Sequence, residues 1–188
     1  ELRIGDPALV ETDVGPVIDT EALGQLEAHI EKMKRSAKFI AAAPLPKDLP
    51  PGGHYLAPHA FEIDGIARLE REVFGPVLHV VRFSAARLDA LVDAINATGY
   101  GLTLGIHSRL DSTAQRVIAR ARVGNVYVNR GMIGAVVGVQ PFGGEGLSGT
   151  GPKAGGPLYV QRFAVERAVS VNTAAAGGNA ALMALGEE

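Results

Sequence analysis

From Val77 to Asn129 the spacing of apolar residues switches between two periods, and this alternation limits the fold more than any other feature of the chain. Val77 to Phe83 is an apolar run broken only by His79 and Arg82, Leu102 to His107 alternates through Leu102, Leu104 and Ile106, and Val126 to Val128 is short and β-branched. These read as three strands. Between them Leu88, Leu91, Val92 and Ile95, then Ala114, Val117, Ile118 and Ala121, recur at helical spacing. Ser84 and Asp111 or Ser112 are the expected caps, with Gly99 and Gly124 as left-handed stops. The order β-α-β-α-β predicts an α/β fold: an open, mostly parallel sheet with helices on both faces, joined by right-handed crossovers. Ligands in such sheets sit beyond the carboxyl ends of the strands.

The segment 131–157 leaves the carboxyl end of the last of these strands and holds ten of the chain's 24 glycines. Glycine at that density lets backbone N–H groups approach a ligand, or lets two stretches of backbone pack with no Cβ between them. The loop is therefore a site or a joint, and its position favours a site. The chain has no cysteine, so a thiol nucleophile serving this loop must come from elsewhere.

Upstream, Leu23, Leu26, Ile30, Met33 and Ala37 predict an amphipathic helix from Thr20 to Ala37 capped by Asp19 or Thr20. Ala42 to Gly53, with Pro44, Pro46, Pro50 and Pro51, predicts a surface connection. Leu158 to Phe163 and Ala168 to Asn172 have strand character but no evident partner, and suggest an arm. The alanine- and glycine-rich tail from Ala174 to Glu188 is expected to order only when docked. This divides the chain into a main unit, 1–157, and an arm with its tail, 158–188.

Composition narrows the function classes. A chain of 188 residues with 47% hydrophobic and 20% charged residues reads as one globular domain. A net charge of −2, with no basic block interleaved with aromatics, disfavours nucleic acid as a partner. No apolar run approaches a membrane span. The lack of cysteine excludes disulfides and thiolate metal sites and fits a cytoplasmic setting. The chain starts without methionine, and Gly5-Asp6-Pro7 reads as the stop after a helix, so further sequence upstream is expected.

Several motif matches have plainer readings. Gly144 to Gly149 fits GxGxxG, but Gly149-Thr150-Gly151-Pro152 would break the helix a dinucleotide loop must open. Gly146 to Gly151 imitates a phosphate loop, yet Pro152 stands where lysine is required. Gly146 to Thr150 lacks the final glycine of a nucleophile elbow. His29, His54, His59, His79 and His107 show no metal-ligand spacing, so no metal is expected. Glu72 precedes a bend into a buried strand, where an ion pair with Arg71 or Arg68 is the simpler role on sequence physics alone.

Four motifs in order carry a resemblance: Glu-Val-Phe-Gly-Pro-Val at 72–77, Tyr-Gly-Leu-Thr-Leu-Gly-Ile at 100–106, Gly-Asn-Val-Tyr-Val-Asn at 124–129, and Pro-Phe-Gly-Gly at 141–144 with Ser-Gly-Thr-Gly at 148–151. Together they resemble the aldehyde dehydrogenase superfamily, and nearly the whole chain corresponds to about the last two-fifths of a member. The stretches 133–142, 162–167 and 172–179 more narrowly resemble the L-glutamate γ-semialdehyde (1-pyrroline-5-carboxylate) dehydrogenase branch found in bifunctional proline-utilization enzymes.

The resemblance implies a cysteine thiolate outside this chain that attacks the aldehyde, hydride transfer to NAD, and hydrolysis of a thioester. It implies that Glu72 accepts hydrogen bonds from the nicotinamide ribose and that Phe74 packs near the nicotinamide. It also implies that Gly134 and Ala135 anchor the substrate α-carboxylate through backbone N–H groups, where some relatives have serine for Ala135. Phe142 would enclose the aliphatic part of glutamate γ-semialdehyde. FAD would belong to a proline dehydrogenase domain absent here, and the late strand to a flap that joins subunits of a homo-oligomer. In a wholly parallel sheet Glu72, before its strand, and the glycine loop, after its own, would lie at opposite ends. Two rival readings are a non-catalytic oligomerisation module and a nucleotide-phosphate-binding protein.

Overall fold

A computed structural model describes residues 2–172 and Ala184. Helix α1, Thr20–Ser36, starts where expected: Asp19 is extended and its carboxylate accepts the Ala22 N–H at 2.7 Å. One face of α1 buries Leu26, Ile30 and Met33, and Lys34 and Arg35 sit in its last turn, where the helix dipole favours cations. The helix packs on a three-stranded sheet of β1, Lys38–Ala42, β2, His59–Ile63, and β3, Val77–Val81. Phe61, fully buried, and Ile63 supply the sheet side of this first core.

The second core lies between two helices and a separate two-stranded ladder. Helices α2, Leu88–Ala97, and α3, Asp111–Arg120, bury Val92, Ala114 and Val117 against Ile106. The ladder is β5, Thr103–Ile106, paired in parallel with β6, Asn125–Val128. On the solvent side, bidentate pairs Arg116–Asp89 and Arg120–Asp93 tie α3 to α2. Just before β5, the short strand β4, Tyr100–Gly101, pairs antiparallel with β7, Glu145–Gly146, from the glycine loop.

The fold is mixed α/β, with several departures from the expected single sheet. Pairing is parallel for β2–β3 and β5–β6 but antiparallel for β1–β2 and β4–β7. The three strands expected to form one series are split: β3 belongs with β1 and β2, and β5 with β6. Strand β1 gave no signal because every residue of it is exposed, while β2, central in the sheet, buries Phe61 and Ile63 but shows that alternation over only five residues. A short edge strand with no buried face carries no alternation signal. The stretch after Ala42 is the expected connection up to Gly53, with β2 following it.

Local punctuation also differs in part. Ser84 precedes a 3-10 turn, Ala85–Arg87, that leads into α2, and its hydroxyl caps nothing. Asp111 is the first residue of α3, behind Leu110, whose N–H is held by the Ser108 hydroxyl at 3.0 Å. Gly99 has φ +77° as expected of a left-handed stop. Gly124 does not have a positive φ. It is needed for a different reason: a Cβ there would stand 1.8 Å from the Gly143 carbonyl oxygen. Gly5-Asp6-Pro7 is a turn, stitched by the Gly5 N–H to the Val14 carbonyl and the Ala8 N–H to Asp6. Ile4 beside it forms a bridge to Val14, so no helix ends there.

Leu158 to Phe163 folds into a 3-10 turn at Val160–Phe163 instead of a strand, with the Tyr159 ring edge-on to Phe163. Residues 164–172 are exposed and outside any strand. The expected docking tail, 174–188, lies outside the described residues except for Ala184. No helix among the described residues is long and apolar enough to cross a membrane.

Candidate functional site

Residues 71–76 run from the 3-10 turn Ile66–Arg68 into β3. Phe74 is 88% exposed, a large apolar ring with nothing over it. Glu72 is exposed, and among the described residues its carboxylate makes no hydrogen bond or ion pair. The alternative of a pair with Arg68 fails because Arg68 is held by Asp64 in a two-point contact at 2.8 and 3.2 Å. Arg71 pairs with no carboxylate among the described residues. A cavity of about 570 Å³ is lined by Glu72, Phe74, Val17, Gln25, Leu26 and His29, among others. A second, of about 430 Å³, extends from Glu72 past Tyr100 and Thr103 to Ser148.

Two of the five histidines meet behind this segment, which their spacing in sequence gave no means of seeing. His29 on α1 and His79 on β3 approach to 2.9 Å between Nε2 atoms, with rings edge to face at 75°. Burial, then the neighbouring His79, Lys32 and Arg71, holds the His29 imidazole below the usual histidine range. Burial alone does the same to His79. The contact needs one ring to donate and the other to accept, so it cannot form between two protonated imidazoles, and burial disfavours the charge on either.

The glycine loop has two halves with different work. In the first, residues 133–140 bulge outward, held by Gln140: its side-chain oxygen accepts the Val136 N–H at 2.9 Å, and its own N–H donates to the Val136 carbonyl at 2.9 Å. Among the described residues, the N–H groups of Gly134 and Ala135 donate to no protein acceptor. Both residues line a cavity of about 370 Å³ with Phe142 and Gln140.

In the second half the chain folds back along β6. Phe142 and Ala154 exchange backbone hydrogen bonds at 3.1 and 2.9 Å. The Asn125 side chain donates to the Pro141 carbonyl at 2.9 Å and accepts the Gly143 N–H at 3.1 Å. The Lys153 ammonium donates to the carbonyls of Gly124 and Gly143. A Cβ on Gly144 would meet the Ser148 carbonyl oxygen at 2.3 Å, and one on Gly149 the Gly144 oxygen at 2.0 Å. The first half of the loop thus lines a cavity with backbone donors that have no acceptor among the described residues, and the second half is a joint.

Glu72 and Phe74 therefore share one cavity, while Gly134, Ala135 and Phe142 share another, and the two have no lining residue in common. What joins the regions is the return of the loop. It carries Gly143 back to the amino end of β6, pairs β7 with β4, and places Ser148 in the cavity that also reaches Glu72. The loop-organising contacts of Gln140, Asn125 and Lys153 could not be read from the sequence, since each acts on backbone groups.

The residues present fit a dinucleotide at the Glu72 end. An unpaired carboxylate can accept from both hydroxyls of a ribose, and an exposed aromatic ring offers a flat apolar face to a planar ring. At the loop end, two free N–H donors beside an aromatic wall fit an anion with an apolar tail.

Residues 1–169 match the model of the aldehyde dehydrogenase family. The bifunctional protein PutA of Escherichia coli is 54% identical over 171 residues, which are 89% of this chain and 13% of that protein. A variant of Bradyrhizobium japonicum proline utilization A has a solved structure that is 58% identical, with a TM-score of 0.83, over 93% of this chain and 18% of its own. A 1-pyrroline-5-carboxylate dehydrogenase from Thermus, solved with bound NAD, is 37% identical, with a TM-score of 0.75, over 86% of this chain and 31% of its own. The chain thus spans between about an eighth and a third of the length of these relatives. With nearly all of its described residues inside the family match, this chain belongs to the aldehyde dehydrogenase family.

Proposed function

We propose that this chain forms the cofactor and substrate walls of an NAD-dependent L-glutamate γ-semialdehyde dehydrogenase within a PutA-type proline-catabolising protein. The cysteine that attacks the aldehyde lies outside it, since the chain contains none. NAD, when bound, accepts the hydride. Glu72 accepts hydrogen bonds from the ribose hydroxyls, and Phe74 covers one side of the nicotinamide. Gly134 and Ala135 donate their N–H groups to the substrate α-carboxylate, and Phe142 walls its aliphatic chain and excludes water from it.

The observation that carries this reading is that Gly134 and Ala135, whose N–H groups find no acceptor among the described residues, line the same cavity as Phe142. Donors for a carboxylate beside an apolar wall match the two ends of this amino-acid aldehyde. On the strength of the resemblance to PutA, the reading extends to strands of the complete protein that join these ladders into one open, mostly parallel sheet with helices on both faces. It extends likewise to a homo-oligomer joined by a β-flap in 158–188, a cytoplasmic location, and FAD in a separate proline dehydrogenase domain.

The test is Glu72→Gln in the complete protein. A raised NAD KM or lowered kcat with unchanged oligomer size supports the site. Normal kinetics with altered oligomer size would support an oligomerisation module instead. The isolated chain, given NAD and glutamate γ-semialdehyde, should form no NADH.

A further inference from the structure

Asn125 is the first residue of β6, and its side-chain amide makes two hydrogen bonds to the loop, one on each side of Phe142. It donates to the Pro141 carbonyl at 2.9 Å and accepts the Gly143 N–H at 3.1 Å. The N–H and carbonyl of Phe142 itself are both taken up by Ala154. The backbone on both sides of Phe142 is therefore held, and Phe142 lines the cavity that also holds Gly134 and Ala135. The short amide places a donor and an acceptor on separate atoms, so it can serve two backbone groups on either side of Phe142 at once, where a single hydroxyl oxygen would have to reach both. Aspartate would keep the acceptor but lose the donor and set a negative charge against the Pro141 carbonyl. Alanine would lose both contacts and leave half-buried backbone groups unpaired.

We propose that Asn125 is a positioning residue that sets Phe142 against the aliphatic part of the aldehyde, and thereby sets the preference for aldehyde chain length. This rests on the function proposed above. A group that acts only by holding another should lose its effect once the held group is gone, and a double-mutant cycle reads that dependence directly.

The experiment uses the complete protein as N125A, N125D, F142A and the N125A/F142A double variant, each assayed for kcat and KM with glutamate γ-semialdehyde, with propanal, and with NAD varied. We expect N125A to raise the KM for glutamate γ-semialdehyde about tenfold and the KM for propanal far less, with the NAD KM changed less than about twofold. The double variant should match F142A alone within about twofold. Independent, multiplying effects of N125A and F142A would overturn the proposal. So would a fall in kcat with both KM values unchanged, which marks loss of folded enzyme only. N125D serves if N125A does not fold: it should show the same KM split, and a parallel rise in the NAD KM would refute the role. An F142A variant with normal aldehyde KM would instead remove the function assigned to Phe142, a failure separate from that of Asn125 and one that takes this proposal with it.

Discussion

Gly75 faces Leu26 so closely that a methyl group added at Gly75 would stand 2.5 Å from both δ carbons of the leucine. Leu26 is 2% exposed and packed in the first core, so it has little room to give way. Helix α1 thus sets the position of the segment that carries Glu72 and Phe74. Gly75→Ala should displace that segment and raise the NAD KM several-fold, while the aldehyde KM stays near its normal value. Gly65→Ala is the control, because a Cβ there meets nothing within 4 Å. Equal effects of the two substitutions on the NAD KM would show that α1 does not brace the cofactor end.

The His29–His79 contact predicts a pH dependence with a definite sign. Both imidazoles are held below their ordinary value of about 6.5, chiefly by burial. Facing them are Lys32 on α1, which lies 3.9 Å from Glu70, and Arg71 on the segment before β3. Because the folded values are depressed, the unfolded chain binds protons first as the pH falls. The contribution to stability is therefore complete above about pH 6.5 and is lost as the pH drops below it towards the folded values. The thermal midpoint of the complete protein should fall between pH 7.5 and 5.5, and less steeply in His79→Leu. An identical slope in the variant would remove the pair as a source of acid sensitivity.

The two halves of the glycine loop should differ in their tolerance of added methyl groups, the second half being read through Gly124, which it packs against. Gly124→Ala drives a Cβ into the Gly143 carbonyl oxygen and against the Lys153 ammonium, and neither neighbour can move without releasing the loop from β6. We expect loss of soluble enzyme or a drop of several kcal/mol in stability, in the range of severe overpacking or broken buried polar contacts. Gly134→Ala has open space around its Cβ and should leave the thermal midpoint within about 2 °C, consistent with a surface change of at most about 0.5 kcal/mol. Comparable midpoints for the two variants would contradict the division of the loop into site and joint.

What the sequence disclosed follows the length scale of each interaction. Helices α1, α2 and α3 were visible because each buries one face, and strands β3, β5 and β6 because they are rich in β-branched and aliphatic residues. Strand β1 was not, since it has no buried residue, and β2, which buries Phe61 and Ile63, shows that alternation over only five residues. Splitting of the expected sheet into separate ladders was equally hidden, because apolar period reports burial and not which strand lies alongside. At the proposed site, the motifs named Glu72, Phe74, Gly134, Ala135 and Phe142 one by one. They could not place the first two and the last three in different cavities, nor find the Asn125 and Lys153 contacts that fold the loop back towards Ser148.

Ala135 marks where the substrate end can be improved by a single atom. Its N–H donates to no acceptor among the described residues, it is half-buried in the cavity shared with Gly134 and Phe142, and a hydroxyl at this position would lie beside the donors proposed for the α-carboxylate. A hydrogen bond to a charged group contributes about 1.5 to 3 kcal/mol before the cost of fixing the rotamer. Ala135→Ser in the complete protein should therefore lower the KM for glutamate γ-semialdehyde about threefold to tenfold. The KM for propanal, which has no carboxylate, should not change, because the hydroxyl adds nothing to an uncharged aldehyde. An equal change for both aldehydes would mean that the serine acts on packing, and the carboxylate would then have to be anchored away from the Gly134 and Ala135 backbone.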